Sequence, residues 1–390
     1  MASKQTRNIR SLLEGRDTFY PIYKRLMKLL DTRSVVRLSQ ASKTIRAMTL
    51  SHSWNINIPF RHHFRDPRAF RSVLGECNAL IAGSWVVQFL LRQLSKNEGI
   101  LIFVQRGDNA DKMEHYLSQK ESYDVPASPD ATREIERKCL RLPTRQDHCL
   151  HLIITSVPPV ETILATFPST DSMCFITWNK TYALFPRQTY IDFEYIPLRQ
   201  HCQHSTAWRN SSSGDWRLRT QSVISERELR GIVGKDQGLG RRIGNPRYTW
   251  MVALDTTYVT QPTTPTSVLE FSGFNVIPPP PPPQYSRSAW VTWDTYSRSF
   301  LYRIWVEDFR RPSLKYRYTG GPITQLSRIL RANALAQLAY KLDDNSRGRL
   351  IGDYSPAAAS LRELPVEEVP GWDFWDDEIP KLFLDMGLDQ

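Results

Sequence analysis

The sequence predicts a mixed α+β or α/β protein, with a small helical cap ahead of a mixed sheet and with further strands and a helix towards the C-terminus. Three observations predict it. Apolar residues recur at three- and four-residue steps between Thr18 and Met48. Strand-like and helix-like runs alternate from Phe64 to Tyr123. Alternating apolar runs later in the chain are followed by one long amphipathic stretch. The 390 residues are 41% hydrophobic and 11% aromatic, a globular composition.

In the cap, Phe19, Ile22, Leu26, Leu29 and Leu30 share one helical face, Asp31 and Thr32 interrupt it, and Val35, Val36, Leu38, Ala41 and Ile45 begin a second helix. Next come a helix over Asp66–Glu76, a short apolar run Ala79–Ala82 and the turn Gly83–Ser84. An amphipathic helix Val86–Leu94, a break at Lys96–Gly99, a strand Ile100–Val104 and a helix Asp111–Lys120 follow, with Asp111 as its first-turn or capping carboxylate. Leu150–Ile154 reads as another strand. A Ser/Arg-rich coil, Arg209–Gly214, precedes a helical stretch Ser225–Val233 and a turn-rich segment, Gly234–Asn245. Tyr248–Val259 and Ala289–Val306 read as strands, with Trp250, Val252 and Leu254 on one face of the first. Pro278–Pro283 is a rigid extended spacer, Ile323–Leu342 an amphipathic helix, and the chain beyond Asp343 is acidic and loop-like. These shifts divide the chain into a basic head (1–60), a core (61–200), a mixed extension (201–342) and an acidic aromatic tail (343–390).

Charge is unevenly placed along the chain. Residues 1–71 hold 15 Lys or Arg against 4 Asp or Glu, and residues 343–390 hold 4 against 12. Head and tail can attract each other, and nucleic acid is the alternative partner for the basic head. The tail sets Trp372, Phe374, Trp375 and Phe383 among Asp373, Asp376, Asp377 and Glu378, which predicts docking onto the basic body of the same chain. Its aromatic residues are expected to carry the stability and its carboxylates, paired with Lys or Arg, only the orientation.

Met1–Ser11 lacks the apolar segment of a secretory signal, and the most apolar stretch, Ala79–Leu94, is broken by Ser84, Gln88, Arg92 and Gln93. A cytoplasmic or nuclear protein without a membrane partner is expected. Five scattered cysteines read as reduced thiols. The tetrads His148–His151 and His201–His204 repeat a His-Cys-x-His pattern but lack the paired Cys-x-x-Cys that would support zinc. Around Gly234–Lys235 a phosphate loop fails, because Asp236 follows the lysine and Arg230 stands where the first glycine belongs. No metal site and no cofactor is expected.

The run Thr18–Met48, with Leu29-Leu30-Asp31, Val35-Val36-Arg37-Leu38-Ser39-Gln40 and Ser42-Lys43, resembles an F-box, although Thr18-Phe19 replaces the usual opening Leu-Pro. The resemblance implies contact with the Skp adaptor of a ubiquitin ligase through Leu26, Leu29, Leu30, Val35 and Leu38. The Gly83-Ser84 turn, the strand Glu98–Val104 and the later pairs Met113-Glu114 and Tyr116-Leu117 resemble a nucleotidyltransferase domain. So do Phe167–Trp178 and Tyr182–Pro186. The likeness is to a group of fungal proteins that join an F-box-like head to such a domain, and it spans roughly residues 18–195.

In that family the Gly-Ser backbone holds a triphosphate, and two aspartates on the next strand hold magnesium. Here those positions are Gly99 and Leu101, and neither supplies a carboxylate oxygen. The neighbouring Glu98 is one residue out of register and so on the opposite face. His151 stands where a third carboxylate belongs. The resemblance thus implies a remnant pocket at Gly83, Ser84, Glu98, Gly99 and Leu101 and a pseudoenzyme serving as an interaction or adaptor protein. The alternatives are a nucleotidyltransferase that uses other carboxylates, such as Glu98 with Asp108, and a basic nucleic-acid-binding protein.

Overall fold

In the computed structural model, which describes residues 16–43, 45–46, 53–94, 99–126, 134–142, 145–198, 217–218, 241–277, 302–320, 324–341, 369 and 371–385, the predicted cap forms as α1 (Arg16–Leu29) and α2 (Thr32–Ser39). Asp31 separates them because its carboxylate accepts the Ser34 N–H at 2.8 Å, capping α2. After α3 (Asn57–Phe60), the Asp66 carboxylate caps α4 (Pro67–Glu76) by accepting from the N–H groups of Arg68 and Ala69. A proline at the first position of α4 removes a donor that would have no helical partner.

The core then runs β1 (Leu80–Ala82), α5 (Ser84–Leu91), β2 (Ile100–Gln105), α6 (Asp108–Gln119), β3 (Ile135–Leu142), β4 (Arg145–Thr155), α7 (Pro159–Thr166), β5 (Cys174–Ile176) and β6 (Lys180–Ala183). A π-helix, Arg187–Asp192, leads to the short strands β7 (Glu194–Tyr195), β8 (Arg217–Leu218) and β9 (Arg241–Arg242). Then come β10 (Trp250–Ala253), α8 (Thr266–Phe271), β11 (Gly273–Ile277), β12 (Arg303–Trp305), β13 (Glu307–Phe309), β14 (Tyr318–Gly320), α9 (Thr324–Lys341) and α10 (Ile379–Asp385).

Seven strands form one sheet in the order β10-β6-β5-β1-β2-β4-β3. Its pairs are antiparallel except β2 with β4. The fold is therefore mixed α/β. Strand β2 is apolar on both faces and needs cover on both. Ile100, Ile102 and Val104 pack with α4, α5 and α6, whereas Leu101 and Phe103 face α7 and the second layer built on β11.

Several expectations are corrected. Helix α5 is not amphipathic: Trp85 to Leu91 are all buried, because the helix lies between the sheet and the head. It ends at Leu91, where Arg92 turns left-handed with φ 61°. Helix α6 starts at Asp108, so Asp111 lies in its first turn and is not the cap. Only Trp250–Ala253 of the longer predicted run is strand, and Val252 and Leu254 share its buried face as expected. The segments 209–214, 225–233, 234–240 and 278–283 lie outside the described residues, as do 289–301 of the second predicted strand.

Head and core share one apolar interior. Met27, Val35, Ile45 and Trp54 belong to the same cluster as the β2 face, and Phe60 stacks on Trp85 at 5.4 Å. The Thr32 hydroxyl and the Trp54 indole N–H both donate to the Leu90 carbonyl at the end of α5, at 2.9 and 3.2 Å. In return the Arg92 guanidinium donates to the carbonyls of Leu30, at 2.7 Å, and Met27, closing the end of α1. Each helix end thus caps the other.

Arg71 on α4 is fully buried without a carboxylate partner. Its guanidinium donates twice to the Trp178 carbonyl, at 2.9 and 2.7 Å, once to the Asp255 carbonyl at 2.6 Å, and to the Asn57 amide oxygen at 3.2 Å. Burial holds its pKa down at about 10. The tail is ordered where it touches the body, and its last part is helical, contrary to the loop expectation. Ile379 and Phe383 of α10 are buried against Leu326 and Leu330 of α9, and the Trp372 indole donates to the Pro312 carbonyl at 3.0 Å.

Asp373 meets Lys341 at 2.8 Å, as expected for a tail carboxylate. Among the described residues Asp376 meets no cation: it accepts the N–H groups of Lys315 and Tyr316 at 2.7 and 3.1 Å and the Tyr318 hydroxyl at 3.1 Å. Its role is therefore larger than orientation, and the two neighbouring aspartates are not equivalent.

Two outcomes are expected from urea unfolding. Arg71→Met takes its donors from the part-buried Trp178 and Asp255 carbonyls and should cost about 2–4 kcal/mol, towards the lower end of roughly 1–3 for each. Asp376→Asn should cost about 1.5–3 kcal/mol and expose the tail to protease, while Asp377→Asn at an exposed position should change stability by less than about 0.5 kcal/mol. Equal effects of the two tail variants would contradict the assigned contacts.

Candidate functional site

The turn from β1 into α5 passes through Gly83 at φ 94°, ψ −165°, a region of backbone space that only glycine adopts readily. The turn from β2 into α6 repeats the conformation at Gly107, with φ 98°, ψ −151°. The two turns differ in what stands over them. A Cβ on Gly107 would meet nothing within 4 Å, whereas a Cβ on Gly83 would lie 2.9 Å from the Leu101 Cδ1. Leucine therefore fills the space directly above the Gly-Ser turn.

Sheet register places the remaining positions. Leu101 pairs with Ala82 on β1 and with His151 on β4, so the predicted remnant residues Gly83, Ser84 and Leu101 do come together, with Gly99 entering the same strand end. Glu98 lies outside the described residues. Leu101 is partly buried among Leu80, Ala82 and Phe103, an apolar setting unlike a metal centre. His151 accepts from the Arg137 Nε–H at 3.4 Å, and burial, followed by that positive neighbour, pushes its imidazole below the ordinary histidine value. A neutral imidazole and a leucine thus occupy the two strand positions nearest the turn.

Of the alternative pair, Asp108 opens α6 at the far end of β2 from Leu101, and Glu98 is not among the described residues. Among the described residues no group of three or more His, Cys, Asp or Glu is placed to hold a metal. The second His-Cys-x-His tetrad lies outside them. Cys77 and Cys174 are buried thiols and Cys139 an exposed one; burial raises the Cys77 pKa to about 11.

The F-box-like positions are split by packing. Leu29 is 78% exposed on α1 and Ile22 beside it 53%. Leu26, Leu30 and Leu38 pack partly against the core, and Val35 is wholly buried in it, so Val35 presents nothing to a partner. No helix among the described residues is long and apolar enough to cross a membrane.

A separate cavity of about 210 Å³ opens at the other end of the sheet, bounded by Leu80, Gln105 and Asn109. Sequence patterning gave no sign of it, because its walls come from Trp178, Pro262–Thr266 and Tyr316–Thr319, loops far apart in the chain. Comparisons of the chain with protein-family models, curated proteins and solved structures found no match, so its own geometry carries the functional reading.

Because Gly83 needs both its backbone angle and the space beneath Leu101, Gly83→Ala should destabilise the chain by about 1–3 kcal/mol. Leu101→Ala in addition should recover the steric part of that loss and leave the conformational part. Leu101→Asp should lower the melting temperature rather than create a magnesium site, since the new charge would sit among apolar side chains. Differential scanning calorimetry with and without magnesium checks this; a magnesium-stabilised Leu101→Asp protein would refute it.

Proposed function

We propose that this chain is a non-catalytic interaction or adaptor protein, built on a nucleotidyltransferase-like core whose metal-binding carboxylates have been replaced. The observation that carries this is Leu101, seated over Gly83 and paired with His151. Nucleotidyl transfer needs metal ions to neutralise charge developing on phosphate oxygens, and magnesium takes oxygen ligands. A leucine and an uncharged imidazole provide none on the strands flanking the turn.

The F-box-like head is the proposed partner contact, with the Skp adaptor of an intracellular ubiquitin ligase as the partner class. What supports it is the exposed face of α1, where Ile22 and Leu29 stand clear of the core beside the exposed Lys24, Arg25 and Lys28. The buried contacts of the head with α5 make it a rigid part of the body, so the partner would meet a preformed helix.

Calorimetric titration of the full chain with ATP, in the presence and absence of magnesium, should give no magnesium-dependent heat, and tight metal-dependent binding would overturn the non-catalytic reading. Affinity capture tests the head. Leu29→Asp changes an exposed residue and should leave the melting temperature within about 1 °C while abolishing recovery of a Skp-type adaptor. Adaptor recovered equally by both proteins would remove α1 as the contact.

A further inference from the structure

We propose that the cavity at the C-terminal end of β2 is a binding site for a small, neutral, flat nitrogen heterocycle of roughly two fused rings, carrying an N–H and a C=O side by side on one edge. The site is distinct from the Gly83 turn, which lies at the opposite end of the same strands.

Size sets the first limit. The cavity measures about 210 Å³. An apolar cavity of about 150 Å³ accepts benzene, so this one has room for a second ring. Its walls set the second limit. Trp178, Tyr316, Pro158, Pro159, Pro262 and Pro265 line it with flat or rigid apolar surface. Proline contributes no N–H and has its φ fixed, so these walls are arranged before anything binds and little ordering is left to oppose binding. Flat walls favour a flat guest.

Charge excludes ions. No Asp, Glu, Lys or His lines the cavity, and its one cation, Arg317, is already committed: Nε lies 2.6 Å from Asp308 and Nη2 3.9 Å from Glu161. An anionic ligand reaching Arg317 would meet both carboxylates. A cationic one would find no lining carboxylate and would face the Arg317 guanidinium.

The polar edge follows from which amides and hydroxyls are engaged. Asn78 donates to the Thr264 hydroxyl at 3.2 Å and Gln105 to the Ser156 carbonyl at 3.4 Å. The Ser272 and Thr319 hydroxyls donate to the Val268 and Gly273 carbonyls, at 2.8 and 3.5 Å. Asn109, half-buried in the first turn of α6, makes no side-chain hydrogen bond among the described residues. Among the lining carboxamides it is the one with donor and acceptor both free, the complement of a lactam edge. Such an edge can make two hydrogen bonds at once, and a ring without it would leave Asn109 unpaired against a dry surface.

Binding can also be followed away from the cavity. Tyr316 forms one wall, and its N–H is held by Asp376 of the tail. A bound ring that steadies Tyr316 should slow proteolysis of residues 371–385.

The test uses the full chain and three probes: quinolin-2(1H)-one, its N-methyl derivative, and quinoline-2-carboxylate. Calorimetry should show quinolinone binding, with N-methylation and the carboxylate each weakening it at least about tenfold. Asn109→Leu should erase the difference between quinolinone and its N-methyl derivative. Thr264→Trp in the cavity wall should block every probe, and quinolinone should protect the tail in the parent chain. Quinolinone that fails to bind at millimolar concentration overturns the proposal, as does equal binding of the N-methyl or carboxylate probe. Undiminished binding to a folded Thr264→Trp protein overturns the location. The probe series on the unaltered chain stands even if a variant fails to fold.

Discussion

A buried guanidinium held by carbonyl and amide oxygens rather than by a carboxylate organises this protein. Arg71 gathers the carbonyls of Trp178 and Asp255, which are 107 and 184 residues away in sequence, onto one helix. It thereby fixes α4 to the β5–β6 turn and to the loop leaving β10, two segments that also meet where the Leu254 N–H donates to the Asn179 carbonyl at 2.9 Å. The neighbouring Gly75 allows the close approach, since a Cβ there would stand 3.0 Å from the Trp178 ring. Removing a charge from water is costly, and here the cost is offset by four hydrogen bonds to part-buried oxygens of Asn57, Trp178 and Asp255. The position of Trp178, and with it one wall of the cavity, follows from this arrangement.

The parts legible in the sequence were those where local pattern and tertiary role agree. Apolar residues at helical spacing gave α1, α2 and α9, and Asp66 marked a helix start that the structure places within a residue of expectation, whereas Asp31, read as a break together with Thr32, is the cap of α2 and Thr32 its first residue. Strand β3 escaped notice for a physical reason: its inward positions include Glu136 and Lys138, which are buried yet charged. Lys138 meets Glu114 of α6, and Arg106 lies 3.7 Å from Glu136, so the inner face of the strand is held by ion pairs where a pattern search looks for leucines. Helix α5 misled in the opposite sense, since Gln88 and Arg92 suggested a polar face that the head covers.

The candidate site was legible only in part. That Leu101 stands on the strand beside the Gly83-Ser84 turn could be read from the order of elements, and sheet register brings it to Gly83 and His151. The cavity beyond the far end of β2 could not be read, because its walls come from loops far apart in the chain. Nor could the inequality of the two tail aspartates: Asp376 and Asp377 are neighbours in an acidic run, yet only the first reaches the backbone of residues 315 and 316. One-residue differences in direction are set by the turn into α10, and composition does not record them.

The order of strands in the large sheet bears on how the chain is assembled at the ribosome. One edge, β3, is finished by residue 142 and carries inward-pointing charges, a feature that discourages pairing with a second chain. The other edge is β6 until Trp250–Ala253 arrive, some seventy residues after Lys180 has been made. Synthesis proceeds at about 5–20 residues per second, so β6 waits several seconds with its backbone unpaired. Asp255, the acceptor for Arg71, emerges just after the strand that ends this wait. The closing of the sheet and the anchoring of α4 therefore fall within a few residues of each other, and the nascent chain passes from an open-edged intermediate to a locked one in a single short step.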